Sequence, residues 1–151
     1  MEIPEPRMRI APMSLETVEA VEAIETECFS VPWSLDSLAE ELSNPLAVMR
    51  VALIGDEVAG YVGMHHIIDE GYLTNLAVTA RFRRQGVALA LMHELLRYAE
   101  ENDLQMVSLE VRESNEAAVA LYSGLDFDQA GLRRDYYTNP TENALILTRK
   151  M

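Results

Sequence analysis

Basic residues are concentrated in one segment of this sequence, and residues of this type at this spacing could bind an anion. Arg81, Arg83 and Arg84 precede Gly86, and the stretch Gly71–His93 contains no acidic residue, although the whole chain has 25 acidic and 12 basic residues. Apolar residues after Gly86 repeat with a helical period. A loop that opens a helix presents unpaired backbone N–H groups and the positive end of the helix dipole, which suits a pyrophosphate. A helix N-terminus made soluble by basic residues is the alternative.

Two further residues could move protons. Along Met106–Arg112, alternate residues face opposite sides of a strand, and Glu110 lies on the less apolar side. Tyr122 follows a segment that Asn115 could cap as a short helix. A carboxylate could deprotonate an ammonium group, and a phenol could protonate a leaving thiolate. From the pattern alone, a solvated strand residue and a tyrosine on the apolar face of a helix are the simpler interpretations.

Short elements of alternating type must position these residues. Apolar and β-branched runs bounded by turn residues predict seven strands, near residues 7–10, 48–54, 58–66, 72–78, 106–111, 127–137 and 144–149. Helical spacing predicts four helices, which begin after Ser14, Ser34, Gly86 and Asn115. The first should bury one face, formed by Leu15, Val18, Val21 and Ile24. The order β-α-α-β-β-β-α-β-α-β-β predicts an α/β fold, a mixed sheet with helices packed on it.

Length, cysteine content and charge limit the classes of protein to which this chain can belong. We expect residues 1–151 to form a single domain, because domains typically span about 100–200 residues. Cys28 is the only cysteine, which excludes an intramolecular disulfide and favours a cytoplasmic protein. The net charge of −13 disfavours nucleic acid, and Val58–Ile68, the longest uncharged run, is too short for a membrane helix. The start, Met1–Arg7, lacks the basic and apolar stretches of a signal peptide.

The arginine-rich loop resembles a known family motif. Arg83–Ala88 is similar to the Arg/Gln-x-x-Gly-x-Gly/Ala motif of the Gcn5-related N-acetyltransferases (GNAT). Other segments resemble the RimI subfamily, which acetylates the N-terminal amino group of a ribosomal protein; they are Pro32–Ser34, Leu109–Arg112, Ser114–Asn115, Ala120–Tyr122 and Arg133–Tyr137. The resemblance covers nearly the whole chain. It departs at Asp126, where the family usually has glycine before the residue equivalent to Phe127.

The resemblance implies the GNAT acyl-CoA N-acyltransferase fold, with acetyl-CoA as co-substrate and no metal. Its strand at Leu76, Ala77 and Val78 would bond the pantetheine arm. The pyrophosphate would be held by Arg84, Gln85, Gly86, Val87, Ala88 and Leu89. Arg83, the first residue of the motif, would belong to the same cofactor site and face either the phosphates or solvent. Asn115 would also contact the cofactor. Glu110 would act as base and Tyr122 as acid. The acceptor would be contacted by Trp33, Tyr136, Tyr137 and Glu142, for which an ordinary strand edge is the alternative.

The function implied is direct transfer of an acetyl group from acetyl-CoA to the N-terminal α-amino group of a protein, within a ternary complex. A small-molecule amine or a protein lysine is the alternative acceptor, and a non-catalytic acyl-CoA-binding module is a further alternative. We expect a monomer or weak homodimer. Acidic residues are unevenly spread, with twelve acidic and three basic residues in 1–60 against thirteen and nine in 61–151. Such an acidic body would attract a cationic acceptor, such as the tail of a basic ribosomal protein.

The histidines and the cysteine give weaker indications of a functional site. Adjacent residues on a strand point to opposite faces, so His65 and His66 should not share a metal ion, and we expect no metal site. His93 lies within a predicted helix and should be solvated. Cys28 is far in sequence from the arginine-rich loop and is interpreted as a small buried thiol.

Overall fold

A computed structural model of the chain describes residues 7–151 and has the predicted order of elements. The strands are β1 Met8–Pro12, β2 Ala47–Ile54, β3 Glu57–Ile67, β4 Glu70–Val78, β5 Met106–Arg112, β6 Asp128–Tyr137 and β7 Glu142–Lys150. The helices are α1 Val18–Cys28, α2 Leu35–Ser43, α3 Val87–Glu101 and α4 Glu116–Gly124, with a short 3-10 turn at Ala80–Phe82. Residues 1–6, on which the signal-peptide argument mostly rests, lie outside the described residues.

The seven strands form one mixed sheet in the order β1-β2-β3-β4-β5-β7-β6. Every neighbouring pair is antiparallel except β4 and β5, which are parallel and pair at three positions, from Glu70–Met106 to Tyr72–Ser108. β3 continues to pair with β4 as far as Val78. Beyond Tyr72, therefore, β4 keeps one paired edge, while its edge toward β5 has no strand partner among the described residues.

Helices cover both faces of the sheet, and each face has its own apolar core. α3 and α4 pack on one face, where Leu91, Leu95 and Leu125 join Leu109 of β5. α1 and α2 pack on the other face. Along β5, buried and half-buried residues alternate, so Glu110 lies on the face opposite to Leu109, as the strand period predicts. None of the described helices is long and apolar enough to cross a membrane.

The helices begin close to where the sequence predicts, with one correction. Ser34 caps α2 by accepting a hydrogen bond from the Ser37 N–H at 3.1 Å. α1, however, begins only at Val18, and Leu15 lies in the preceding turn with 76% of its surface exposed. The prediction that Leu15 belongs to the buried face of this helix is wrong, because the helical period of that face starts at Val18.

The turn after α4 keeps its shape despite the aspartate at position 126. Asp126 has φ +66°, in the left-handed region that favours glycine. Aspartate tolerates this region better than most residues. The turn is closed by backbone hydrogen bonds from the Leu125 and Phe127 N–H groups to the Tyr122 carbonyl. Tyr122 therefore remains fixed at the end of its helix, although the usual glycine is missing.

Because Asp126 is held at a positive φ, Asp126→Gly should raise the free energy of unfolding by about 0.5–1 kcal/mol. Thermal unfolding would then shift upward by roughly 1–4 °C for a chain of this size. Asp128→Gly is the matched control, since Asp128 begins a strand, where glycine lowers stability. A fall in stability for Asp126→Gly would show that the aspartate side chain stabilises the turn.

Candidate active site

The arginine-rich loop leads into α3 with its backbone exposed. Gly86 is the N-cap of α3 at φ +78°, and no side chain caps the first turn of this helix. A Cβ atom added at Gly86 would meet nothing within 4 Å, and Arg84 also has a positive φ, +62°. The first-turn N–H groups of α3 are thus available to an anionic group. This geometry fits a pyrophosphate.

Arg83, whose direction the sequence left open, turns back toward α1. Its Nε donates to the Val78 carbonyl at 3.1 Å, and its guanidinium lies 3.6 Å from the Glu27 carboxylate. Glu27 in turn accepts hydrogen bonds from Thr79 and from the Ala80 N–H, which lower the pKa of its carboxyl. Arg83 and Glu27 therefore tie the start of the loop to α1.

Cys28 lies beside this loop, in spite of its distance in sequence. Its Sγ is 3.6 Å from the Val78 carbonyl oxygen and 3.5 Å from the Arg83 guanidinium, and the residue is half-buried. Burial raises the pKa of the Cys28 thiol, which disfavours the thiolate that an acyl-carrying nucleophile needs. The structure thus places the thiol near the loop in its less reactive form.

Glu110 and Tyr122 lie on opposite faces of the sheet, and Glu110 follows Ser108, the last residue of β5 that pairs with β4. The Glu110 side chain is 8% exposed and its Oε1 lies 3.1 Å from Nε of Arg133. Tyr122 packs edge-on against Phe127 in the α3 and α4 core, and burial raises the pKa of its phenol well above the usual range. The Tyr122 hydroxyl therefore keeps its proton at neutral pH.

The loop between β6 and β7 is fixed by Arg112. Its guanidinium donates to the carbonyl oxygens of Thr138 and Pro140, at 2.8 and 2.9 Å, and stacks over the Tyr137 ring. Glu142 accepts hydrogen bonds from the Arg112 guanidinium and from the Ser114 N–H. The hydrogen bonds from Ser114 lower the pKa of the Glu142 carboxyl. Both carboxylate oxygens of Glu142 thus have partners within the chain. This arrangement is typical of a structural residue at the edge of a strand, the alternative to an acceptor contact.

Aromatic side chains stand beside Glu110. Tyr136 is 47% exposed and meets the Tyr137 ring edge-on at 5.0 Å. Burial raises the pKa of Tyr137 to about 12, and the charge of Glu110 acts in the same direction. Trp33, in the segment between α1 and α2, packs against the core on the same face as Glu110. These rings could border a groove for an acceptor.

The remaining candidates have partners within the fold. Asn115 caps α4, and its Oδ1 accepts a hydrogen bond from the Ala118 N–H at 3.1 Å. His65 contacts Glu41 of α2, whereas His66 contacts Tyr98 of α3, so the two imidazoles lie on opposite faces. Within residues 7–151, no cluster of three or more His, Cys, Asp or Glu side chains could hold a metal ion.

The fold is that of a known enzyme family. The model of the acetyltransferase (GNAT) family matches residues 18–127. The chain belongs to the GNAT family. Members of this family use acetyl-CoA, and the chain is an acetyl-CoA-dependent N-acetyltransferase.

Relatives within the GNAT family match most of the chain. A Bacillus subtilis protein, named provisionally as a [ribosomal protein bS18]-alanine N-acetyltransferase, is 36% identical over 136 residues, covering 89% of this chain and 90% of its own. The Escherichia coli (strain K12) [ribosomal protein bS18]-alanine N-acetyltransferase is 35% identical over 138 residues, covering 89% and 93%. The crystal structure of the E. coli ribosomal-protein-S18-alanine N-acetyltransferase has a TM-score of 0.89 and 30% identity, covering 95% and 94%.

Sequence reasoning missed Glu25, a buried carboxyl group of α1 on the face of the sheet that α1 and α2 cover. Glu25 is 1% exposed. Its Oε1 accepts hydrogen bonds from the Trp33 N–H at 3.3 Å and from the Asn75 amide at 3.1 Å, and burial raises the pKa of the carboxyl. A signal was present, because residue 25 follows Val21 by four positions and therefore shares its buried helical face.

Thr74 explains how Asn75 reaches Glu25. The register between β3 and β4 shifts at Gly63, so that Thr74 is an extra residue, a β-bulge, in β4. A Cβ atom at Gly63 would lie only 2.8 Å from the Thr74 hydroxyl oxygen, so glycine leaves room for the bulge. Asn75, only 8% exposed, then faces α1 and meets Glu25. The segment that carries Trp33 is thereby linked through Glu25 to the unpaired part of β4.

Glu25→Gln should change how stability depends on pH. The pKa of Glu25 is raised above its ordinary 4.5 in the fold, so wild-type stability falls as pH rises from about 4.5 through the folded-state pKa. Glutamine keeps an acceptor oxygen for Trp33 and Asn75 but cannot ionise. Urea unfolding between pH 4.5 and 8 should therefore show the variant gaining stability relative to wild type as pH rises. Glu19→Gln, on the exposed face of α1, is the control, and parallel curves for Glu25→Gln and wild type would contradict the expectation.

Proposed function

We propose that this chain transfers the acetyl group of acetyl-CoA to the N-terminal α-amino group of a protein, with a basic ribosomal protein as acceptor. Support comes from the relatives that are about 35% identical over 89% of the chain and carry that activity in their names. The structural feature that carries the proposal is the gap where β4 and β5 stop pairing, with Glu110 on the part of β5 that follows the last paired residue. In this proposal, residues 1–151 act as a single domain.

The proposed cofactor site follows the free edge of β4 to the start of α3. Backbone groups of Leu76–Val78 would bond the pantetheine arm and polarise the thioester carbonyl, an oxyanion-type contribution. The uncapped N–H groups after Gly86 would bind the pyrophosphate, helped by the exposed Arg84. Arg83 would position the loop through Glu27 rather than bind phosphate, since its guanidinium faces α1.

Glu110 supplies the base in the proposed reaction. An N-terminal amino group has a pKa of about 7.7–8.0, so at neutral pH most such groups are protonated and must lose a proton before the nitrogen can attack. The Glu110 carboxylate accepts that proton, directly or through a water molecule. The neutral nitrogen then attacks the thioester carbonyl carbon, a C–N bond forms, and the carbonyl electrons move to oxygen.

Tyr122 supplies the acid. When the tetrahedral intermediate collapses, the C–S bond breaks and the sulfur leaves as a thiolate. The Tyr122 hydroxyl, protonated at neutral pH as phenols are, donates its proton to that sulfur. The second proton on the attacking nitrogen replaces it, so the products are the acetylated N-terminus, free coenzyme A and one proton.

Tyr136 and Tyr137 would border the groove that receives the acceptor, because they lie near Glu110 and its partner Arg133. Trp33 would join them from the segment between α1 and α2. Arg112 and Glu142 would keep the β6–β7 loop in place over that groove. In this arrangement Glu142 supports the loop and does not itself contact the acceptor.

Coenzyme A release should be fastest with peptides that carry a free N-terminus. The assay compares peptides beginning with Ala, Ser, Gly and Met with polyamines, aminoglycosides and an N-terminally blocked lysine peptide. We expect turnover with small first residues and little with the other amines. Turnover confined to the small-molecule amines or to the lysine peptide would overturn the proposed acceptor.

Removing either proton-transfer group should lower kcat without weakening cofactor binding. Glu110→Gln and Tyr122→Phe should each reduce kcat by about 10²-fold or more, the usual contribution of general acid or base catalysis. Acetyl-CoA binding, measured by isothermal titration, should stay within about twofold, as should kcat for the control Glu113→Gln in the exposed loop after β5. Unchanged turnover in both variants would exclude this mechanism.

A further inference from the structure

The carboxylate of Glu110 has a cationic partner within the chain. Nε of Arg133 lies 3.1 Å from Oε1 of Glu110. The two residues are not on adjacent strands, since β7 lies between β5 and β6. Arg133 is paired with Ala144 of β7, which is itself paired with Arg112 of β5. The Arg133 side chain therefore extends across β7 to reach the proposed base.

The two residues of this ion pair differ in side-chain exposure and in how firmly their strands are paired. Glu110 is on a strand paired along its length with β7, and its side chain is 8% exposed. Arg133 is on the edge strand, with its side chain 56% exposed and the Tyr136 ring centroid 5.8 Å away. Pairing with β7 is interrupted directly after Arg133. Because the Arg133 guanidinium is already more than half exposed, water can replace Glu110 as its partner, whereas Glu110 stays in place.

An acceptor must bring a second cation to the same carboxylate. This step rests on the proposed function, in which Glu110 takes a proton from an ammonium group. Two positive charges within a few ångströms of one another repel, and Arg133 occupies one carboxylate oxygen. The ammonium group thus competes with the guanidinium for Glu110.

We propose that Arg133 is a displaceable counter-ion of Glu110, which the acceptor ammonium group replaces on binding. Arg133 is then a positioning residue that acts through Glu110. It sets the affinity for the acceptor and selects for amines that arrive protonated. An amine without positive charge gains nothing from the exchange and leaves the Arg133–Glu110 pair intact.

Arg133→Met tests this exchange, because methionine keeps an apolar stem beside Tyr136 without the charge. We expect the KM for an N-terminal peptide to fall roughly two- to fivefold, because the acceptor ammonium group no longer competes with the guanidinium, with kcat within twofold of wild type. Arg133→Lys retains a cation and should stay close to wild type. Arg134→Met removes the neighbouring arginine, which makes no ion pair within residues 7–151, and controls for net charge.

A second measurement locates the effect at Glu110. Peptide binding to the coenzyme A complex, followed by isothermal titration, should tighten with Arg133→Met in the wild-type background and stay unchanged in the Glu110→Gln background. A lower kcat with unchanged KM would show that Arg133 orients Glu110, and an equal effect from Arg134→Met would show a general charge effect; either result overturns the proposal. If wild type acetylates another amine instead, the proposed acceptor fails, while the same variants tested with that amine still decide the role of Arg133.

Discussion

β4 and β5 pair at three positions and then part, and the geometry of the site depends on that parting. A parallel pair that continued would fill the free edge of β4 with hydrogen bonds. Because pairing ends at Tyr72 and Ser108, backbone groups of β4 stay available along the gap. In the proposed reaction these groups bind the thioester, while Glu110 on one face takes a proton from the amine and Tyr122 on the other face protonates the sulfur.

The bulge at Thr74 couples this gap to the α1 and α2 side of the molecule. It turns Asn75 toward α1, where Glu25 accepts hydrogen bonds from Asn75 and from the backbone of Trp33. A buried carboxyl group is costly unless it is bonded, and here the bonds join three separate segments of the chain. Glu25 thus holds β4, α1 and the segment that carries Trp33 in one arrangement. Glu25 itself takes no part in the proposed proton transfers.

Local patterns predicted the elements, and contacts between distant residues accounted for what they missed. The strand period placed Glu110 opposite to Leu109, and the residue preferences of tight turns accommodated Asp126. The direction of Arg83 depended on α1, 50 or more residues away, and the nearness of Cys28 to that loop had the same origin. No spacing rule predicts that Arg133 crosses an intervening strand to Glu110, since that contact depends on strand order.

Arg112 holds the β6–β7 loop by the carbonyl oxygens of Thr138 and Pro140. Every amino acid has a backbone carbonyl group, so these hydrogen bonds from Arg112 fix the path of the loop whatever side chains the loop carries. Homologous chains can therefore exchange residues in the loop while its path is preserved. With the loop bordering the acceptor groove as proposed, point substitutions there change acceptor preference and leave Glu110 and Tyr122 in place.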